Sequence, residues 1–296
     1  MNYFERYAYS PESEAIDNKI KSVEAGLDGF ASKETYLKCF SLMDLTTLKT
    51  NDTKESVKKL VDKTNGIAAS FPEFPLPASI CVYPNFADVV RDCRTSNDVH
   101  VTTVSSCFPS AQSFLEVKTL ECVCAVRNGA EEVDIVLALN SFLAGDFEIA
   151  SNEIKAMREA IDKEAAAQGR KVALKVILET GLLGSAENIA NASFLAMEAG
   201  ADFIKTSTGK VDVNATPLAA VVMCECISAF FKKTGRKVGF KAAGGISSAK
   251  DAVLYYGIVS TVLGAEWLNK DLFRLGVSRL GNALIGAVKG ETVAYF

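Results

Sequence analysis

A single histidine, His100, serves a chain of 296 residues, and that scarcity removes two large classes of chemistry. A multi-histidine zinc site cannot be assembled, and a Ser-His-Asp triad would leave no imidazole to spare. Net charge is also scarce: 32 basic against 36 acidic side chains leave −4, with a pI of about 5.3. A nucleic-acid partner would call for a basic patch or a pI above about 9, so none is expected. No apolar run approaches the ~20 residues needed to cross a bilayer. The start, MNYFERYAYSPESEAID, has no uninterrupted apolar stretch of signal-peptide type, so a cytoplasmic location and no membrane partner are expected. No G-x-G-x-x-G follows the first strand-like run.

What the chain does have is 49% hydrophobic residues, enough to bury a large core. Eight cysteines lie scattered in apolar patterns, including the pairs Cys122/Cys124 and Cys224/Cys226. Residues two apart on a helix do not share a face, so reduced, buried thiols are expected rather than metal ligands. Strand-like runs at 40–46, 79–84, 99–106, 132–137, 173–178, 203–208, 238–243 and 259–264 alternate with helical segments such as 110–128 and 185–199. Eight such units predict an α/β fold, a closed (β/α)8 TIM barrel, with one domain over residues 1–296. Residues 1–38 are expected as an N-terminal helical extension within it. Ser10 as N-cap, Pro11 at the first helical position and Gly26 near the stop predict one helix there, covering the barrel bottom.

Against this background three lysines stand out: Lys175 in VALKVIL, Lys205 in ADFIKTS and Lys241 in VGFKAAGG. A buried ammonium must lose its proton or find partners. Asp134, in EEVDIVLAL, is likewise a charge in an apolar strand. Lys205 and Lys241 fall near the C-terminal ends of their strands, where barrels carry their chemistry. Asp134 and Lys205, on strands four and six, could share a layer, with Lys175 and Lys241 in the other parity. A free lysine is only about 0.04% neutral at pH 7, and bringing its pKa near 7 means disfavouring the charged form by roughly 4–5 kcal/mol. A second ammonium about 4 Å away contributes on the order of 4 kcal/mol at an effective dielectric of 20. Two clustered lysines and a carboxylate therefore suit Schiff-base chemistry, in which one lysine attacks a carbonyl and its neighbour keeps it deprotonated. Which of Lys205 and Lys241 attacks is open on these grounds. A purely structural cluster would leave three cations facing one acid.

A second constellation lies downstream. TSTGK at 206–210, AAGGIS at 242–247 and LGVSRLG at 275–281 put small residues at strand ends or helix starts. Glycine lets backbone approach an anion, and helix-start N–H groups favour phosphate. Gly244, Gly245 and Ser278 fall where barrels frequently hold phosphate, after strands seven and eight. Together these loops point to a phosphorylated small-molecule substrate.

The segments LMDLTTL, ICVYPNF, EEVDIV, LKVILETG, ADFIKTSTGKV, NATP and VGFKAAGGI resemble the deoxyribose-phosphate aldolase family, class I aldolases on a (β/α)8 barrel. The matching segments run from Leu42 to about Leu280. The resemblance implies reversible cleavage of 2-deoxy-D-ribose 5-phosphate to D-glyceraldehyde 3-phosphate and acetaldehyde, without metal or organic cofactor. It implies Lys205 as the imine-forming nucleophile and Lys241 as the neighbour that lowers its pKa. Asp134 would hold a proton-shuttling water, with Lys175 in the same network. Thr208, Gly209, Lys210, Gly244, Gly245, Ser278 and Arg279 become substrate or phosphate contacts, and Asp44 and Cys81 match positions near the site.

Arg279 departs from the small hydroxyl residue common at its place in the family, and offers instead a forked contact to phosphate. Tyr295 is penultimate, whereas some members end in a tyrosine used in the proton step; the tail here is expected to be mobile. The alternatives are a class I aldolase for another phosphorylated sugar and a non-catalytic phosphosugar-binding barrel. A homodimer is compatible with the sequence.

Overall fold

The computed structural model describes residues 2–296. Eight short strands, each almost wholly buried, follow one another in the sheet in chain order. They are β1 (Met43–Thr46), β2 (Ser79–Val82), β3 (His100–Val104), β4 (Glu132–Val136), β5 (Ala173–Ile177), β6 (Phe203–Lys205), β7 (Gly239–Ala243) and β8 (Phe273–Val277). All neighbours pair in parallel, and β8 returns to β1, closing the barrel. Parallel strands covered by helices outside and packed side chains inside have no wet face, which is why their sequences read as nearly continuous apolar runs. The charges that interrupt those runs must then meet one another inside. The register sets Asp134 beside Lys175 and Lys205 beside Lys241.

Helix starts follow local chemistry. The Ser185 hydroxyl accepts from the Asn188 N–H and opens the helix Ala186–Glu198, and Thr216 with Pro217 opens Pro217–Thr234. Ser248 and Asp251 form a reciprocal capping box at the start of Ala249–Val262.

Several expectations are corrected. Residues 259–264 are not the eighth strand; they finish the helix Ala249–Val262, whose buried Ala252, Val253, Tyr255, Ile258 and Val259 keep a helical period. The true β8 carries Arg274 in its middle, and that lone charge hides it. The helix expected over 110–128 starts only at Leu115, because Ser106, Cys107 and Ala111 adopt left-handed backbone and keep that stretch irregular.

The N-terminal segment forms several helices rather than one: Tyr3–Tyr7, Ser13–Ala25, Leu27–Phe30 and Lys33–Ser41. Ala8 in the left-handed region ends the first, so Ser10 and Pro11 lie in a connection and Glu12 takes the N-cap position. Tyr7 stacks on Phe194, and the Tyr9 hydroxyl donates to Glu225, so these helices lie along the outer ring. A cavity at the strand starts is lined instead by His100, Glu132 and Arg274, among others. Cys124 is exposed, unlike the buried Cys122, Cys224 and Cys226. Among the described residues no helix is long and apolar enough to cross a membrane.

Candidate active site

Inside the barrel the charged side chains form one connected cluster. Asp134, on β4, meets all three lysines: its Oδ1 accepts from Lys175 Nζ at 2.9 Å, and its Oδ2 accepts from Lys205 Nζ at 2.9 Å and Lys241 Nζ at 2.8 Å. The layer parity expected from the strand count does not separate the lysines, because four-carbon stems reach across layers. Lys241 is also held by Asp44 Oδ2 at 2.5 Å, and Lys175 by Glu132 Oε2 at 2.5 Å. Arg274 closes the network, spanning Asp44 Oδ1 and both oxygens of Glu132. Glu132 also accepts from the Thr102 hydroxyl and contacts His100 Nδ1 at 2.7 Å.

The picture of three cations facing one acid is therefore corrected. Three carboxylates, Asp44, Glu132 and Asp134, face Lys175, Lys241, Arg274 and Lys205. Glu132 was visible in principle, since it lies two residues from Asp134 on the same strand and so on the same face. Arg274 interrupts an apolar run as the lysines do.

Charge balance then singles out Lys205. The three carboxylates are matched by Lys175, Lys241 and Arg274, so a protonated Lys205 would be a fourth, unmatched positive charge in a buried cluster. Burial pushes the Lys205 ammonium below its ordinary pKa; Asp134 opposes this and the Lys241 charge reinforces it, with the net shift downward. Burial, more than the neighbouring ammonium, is the leading cause. Burial would also deprotonate Lys241, but Asp134 and Asp44 outweigh it and hold that lysine above the usual range. Lys175 is likewise held up, by Asp134, Glu132 and Asp44 against burial. For the acids the signs reverse: burial disfavours the charged form, and the cations overcome it, so Asp134, Asp44 and Glu132 all sit below the usual carboxylate range.

Geometry separates the lysines too. Lys205 is 4% exposed, whereas Lys175 and Lys241 are 0% exposed. Of the three, Lys205 alone lines a cavity of about 420 Å³ at the C-terminal ends of the strands. Thr208, Gly209, Lys210, Gly244, Gly245, Ser278 and Arg279 line the same cavity. Asp44 and Asp134 do not; both are fully buried beside it. Cys81 packs with Leu48 and Val104. Thr46, Thr47, Leu48, Lys49, Asn214 and Ser247 also line the cavity; all but Lys49 lie in segments singled out in the sequence, though none was named there as a contact.

Two glycines are dictated by space. At Gly276 an added Cβ would lie 2.8 Å from Ala243 Cβ and 3.0 Å from Lys241 Cε, so its absence makes room for the lysine stem. Gly244 has φ +85° and faces Asn214, whose Oδ1 would be 2.6 Å from such a Cβ. The N–H groups of Ser247 and Ser248 are taken by the Asp251 carboxylate, whereas the helix Leu280–Lys289 starts at Ser278 and Arg279 with no side-chain cap. Free donors at that start suit an anion.

Tyr295 lies elsewhere. Its hydroxyl donates to the Lys63 carbonyl at 2.7 Å, its N–H to Asn282 Oδ1, and its ring packs on Phe71. None of these residues lines the cavity, and the tail is docked, where the sequence led us to expect mobility.

Comparison with known proteins identifies the family. The pattern of the DeoC/LacD family aldolase matches residues 39–255. A deoxyribose-phosphate aldolase of Bos taurus is 40% identical over 259 residues, covering 82% of this chain and 77% of the relative. A putative deoxyribose-phosphate aldolase of Caenorhabditis elegans is 38% identical over 271 residues, with 91% and 86% covered. Among solved structures, the deoxyribose phosphate aldolase of Aeropyrum pernix, described as having a unique tetrameric structure, superposes with a TM-score of 0.65 at 25% identity, covering 93% of this chain and 98% of that one. A family match across most of the barrel, and over the strands that carry all three lysines, makes this chain a member of the DeoC/LacD family of aldolases.

Proposed function

We propose that the protein is a class I aldolase that reversibly cleaves 2-deoxy-D-ribose 5-phosphate to D-glyceraldehyde 3-phosphate and acetaldehyde through a Schiff base on Lys205. The observation that carries this reading is the lowered, cavity-facing Lys205 beside a Lys241 held protonated by two carboxylates. The neutral amine attacks the C1 aldehyde of the open-chain sugar, and loss of water leaves an iminium ion. A base removes the proton of the C3 hydroxyl, the C2–C3 bond breaks, and its electron pair flows into the iminium to give an enamine. Protonation of the enamine at C2 and addition of water release acetaldehyde and restore the lysine. Asp134, with a water, moves these protons, and its charge faces the iminium nitrogen.

The phosphate is assigned to Gly209, Lys210, Gly244, Gly245, Ser278 and Arg279, where three loops and an uncapped helix start meet. Lys210 spans the cavity mouth, its Nζ donating to the Leu48 carbonyl at 2.6 Å. A coupled assay of glyceraldehyde 3-phosphate release tests the substrate. Turnover of 2-deoxyribose 5-phosphate in the presence of chelator is expected, with kcat/KM for unphosphorylated 2-deoxyribose lower by at least about 10²-fold, as for loss of a charge-assisted site. Equal rates on both sugars, or a clear preference for a different phosphorylated sugar, would contradict it.

Copies of the chain are also proposed to associate as a homodimer. Phe114, Val117 and Leu120 expose apolar surface around one helix, and the Aeropyrum relative is described as tetrameric. Sizing chromatography with light scattering should give twice the chain mass; a monomer at all concentrations would refute this. The eight free cysteines suit a reducing, cytoplasmic compartment.

A further inference from the structure

Glu179 belongs to none of the groups assigned so far, yet it is 4% exposed and sits just past β5 with φ 56° and ψ 56°. A left-handed backbone at a residue with a long side chain is unfavourable and persists only when its surroundings enforce it. The side chain shows what it is held for. Oε2 accepts from the Thr208 hydroxyl at 2.5 Å and Oε1 from the Thr208 N–H at 3.2 Å. The same hydroxyl oxygen accepts from the Lys210 N–H at 3.1 Å.

One carboxylate thus fixes the two residues flanking Gly209, whose φ of +79° turns the chain at the cavity. A second contact ties the same two loops together. Gly181 lies so close to the 211–214 stretch that a Cβ on it would stand 2.0 Å from the Val213 carbonyl oxygen. Between these points the Thr180 N–H donates to the Thr206 carbonyl at 2.9 Å. The loop after β5 is therefore a brace for the loop after β6, and Glu179 does not itself line the cavity that holds Lys205.

We propose that Glu179 is a positioning residue for the phosphate end of the substrate, acting through Thr208 to set the Thr208–Lys210 segment, with no part in proton transfer. This rests on the reading of a phosphorylated substrate given above. The carboxylate accepts two hydrogen bonds and turns its charge onto Thr208, so the loop is held without a negative group facing the anion.

The test compares 2-deoxyribose 5-phosphate with 2-deoxyribose in Glu179→Ala, Glu179→Gln and Thr208→Val proteins. In Glu179→Ala the KM for the phosphorylated sugar should rise about tenfold, as expected for a binding loop displaced by a fraction of an ångström. Its kcat, and both constants for the unphosphorylated sugar, should stay within about twofold of the parent. Glu179→Gln, which keeps one acceptor, should recover part of the loss. Thr208→Val removes the hydroxyl bond from its other end and keeps the backbone one, so it should reproduce part of the KM effect, and adding it to Glu179→Ala should bring little further change. It also serves if Glu179→Ala does not fold. A fall in kcat on both sugars, an equal KM change on both, or a fully additive double variant would overturn the proposal. Failure of the unmodified protein to prefer the phosphorylated sugar would count against the substrate reading itself, before any variant is made.

Discussion

Lys205→Met is expected to abolish turnover, with kcat lower by at least about 10³-fold, while the protein stays folded. The loss of activity follows from removal of the only cavity-facing amine of the cluster. The retention of fold follows from the charge count. Asp134 keeps Lys175 at 2.9 Å and Lys241 at 2.8 Å, so no buried carboxylate is orphaned. Methionine is unbranched and of similar length, and it supplies the uncharged group that the cluster tolerates best at this place. A change in unfolding free energy of no more than about 1.5 kcal/mol, roughly the worth of one hydrogen bond, is expected in urea. Residual activity within tenfold of the parent, or a large loss of stability, would show that Lys205 is a structural cation.

The equivalent change at Lys241 should do the opposite to stability and something different to activity. Lys241→Met strips Asp44 Oδ2 of its nearest cation and leaves Asp134 Oδ2 to Lys205. Breaking a buried ion pair by removing one partner costs about 3–5 kcal/mol, softened here because Asp44 retains Arg274. The pH dependence follows from the sign of each influence on Lys205. The Lys241 charge lowers that pKa and Asp134 raises it, so without Lys241 the Lys205 pKa rises. Less neutral amine is then present at any given pH below it. The acid limb of the kcat/KM profile should therefore move to higher pH, with activity partly regained under alkaline conditions. An acid limb at the parent position, in a protein that remains folded, would remove Lys241 from the tuning role.

Much of this is legible in the sequence, and the gaps have physical causes. Lys175, Lys205, Lys241 and Asp134 declared themselves because a parallel barrel strand is apolar on both faces, so a charge within it is conspicuous. Arg274 obeys the same rule, yet it was concealed by the misplacement of β8 onto the last helical turns before Gly264. A short apolar run reads equally well as strand or buried helix. Glu132 shares a face with Asp134, but an acid two residues from another acid suggests repulsion unless the cations across the barrel are already in view. Glu179 lies in the LKVILETG segment that carries the resemblance, but its role gave no signal, since only the fold brings it against Thr208. The cavity-lining glycines were legible because backbone conformation is written into residue type; the part of the β1 loop, Thr46 to Lys49, in that lining was not, because it comes from closure of β8 onto β1.

The charge balance also explains why the site resists a simple electrostatic description. One neighbouring ammonium can supply nearly the energy needed to deprotonate Lys205, but Asp134 touches both lysines and offsets it. Burial tips the balance. In the proposed mechanism the iminium nitrogen would carry a positive charge that the amine did not, and a substrate phosphate in the same cavity would supply a compensating charge.

The central claim is that Lys205 forms a covalent imine, and reductive trapping reads it directly. The protein is incubated with acetaldehyde, reduced with borohydride, digested and mapped by mass spectrometry. A stable ethyl adduct on Lys205, formed equally in the presence of chelator, is the predicted result. An adduct on Lys241 in place of Lys205, or no adduct at all, would contradict it.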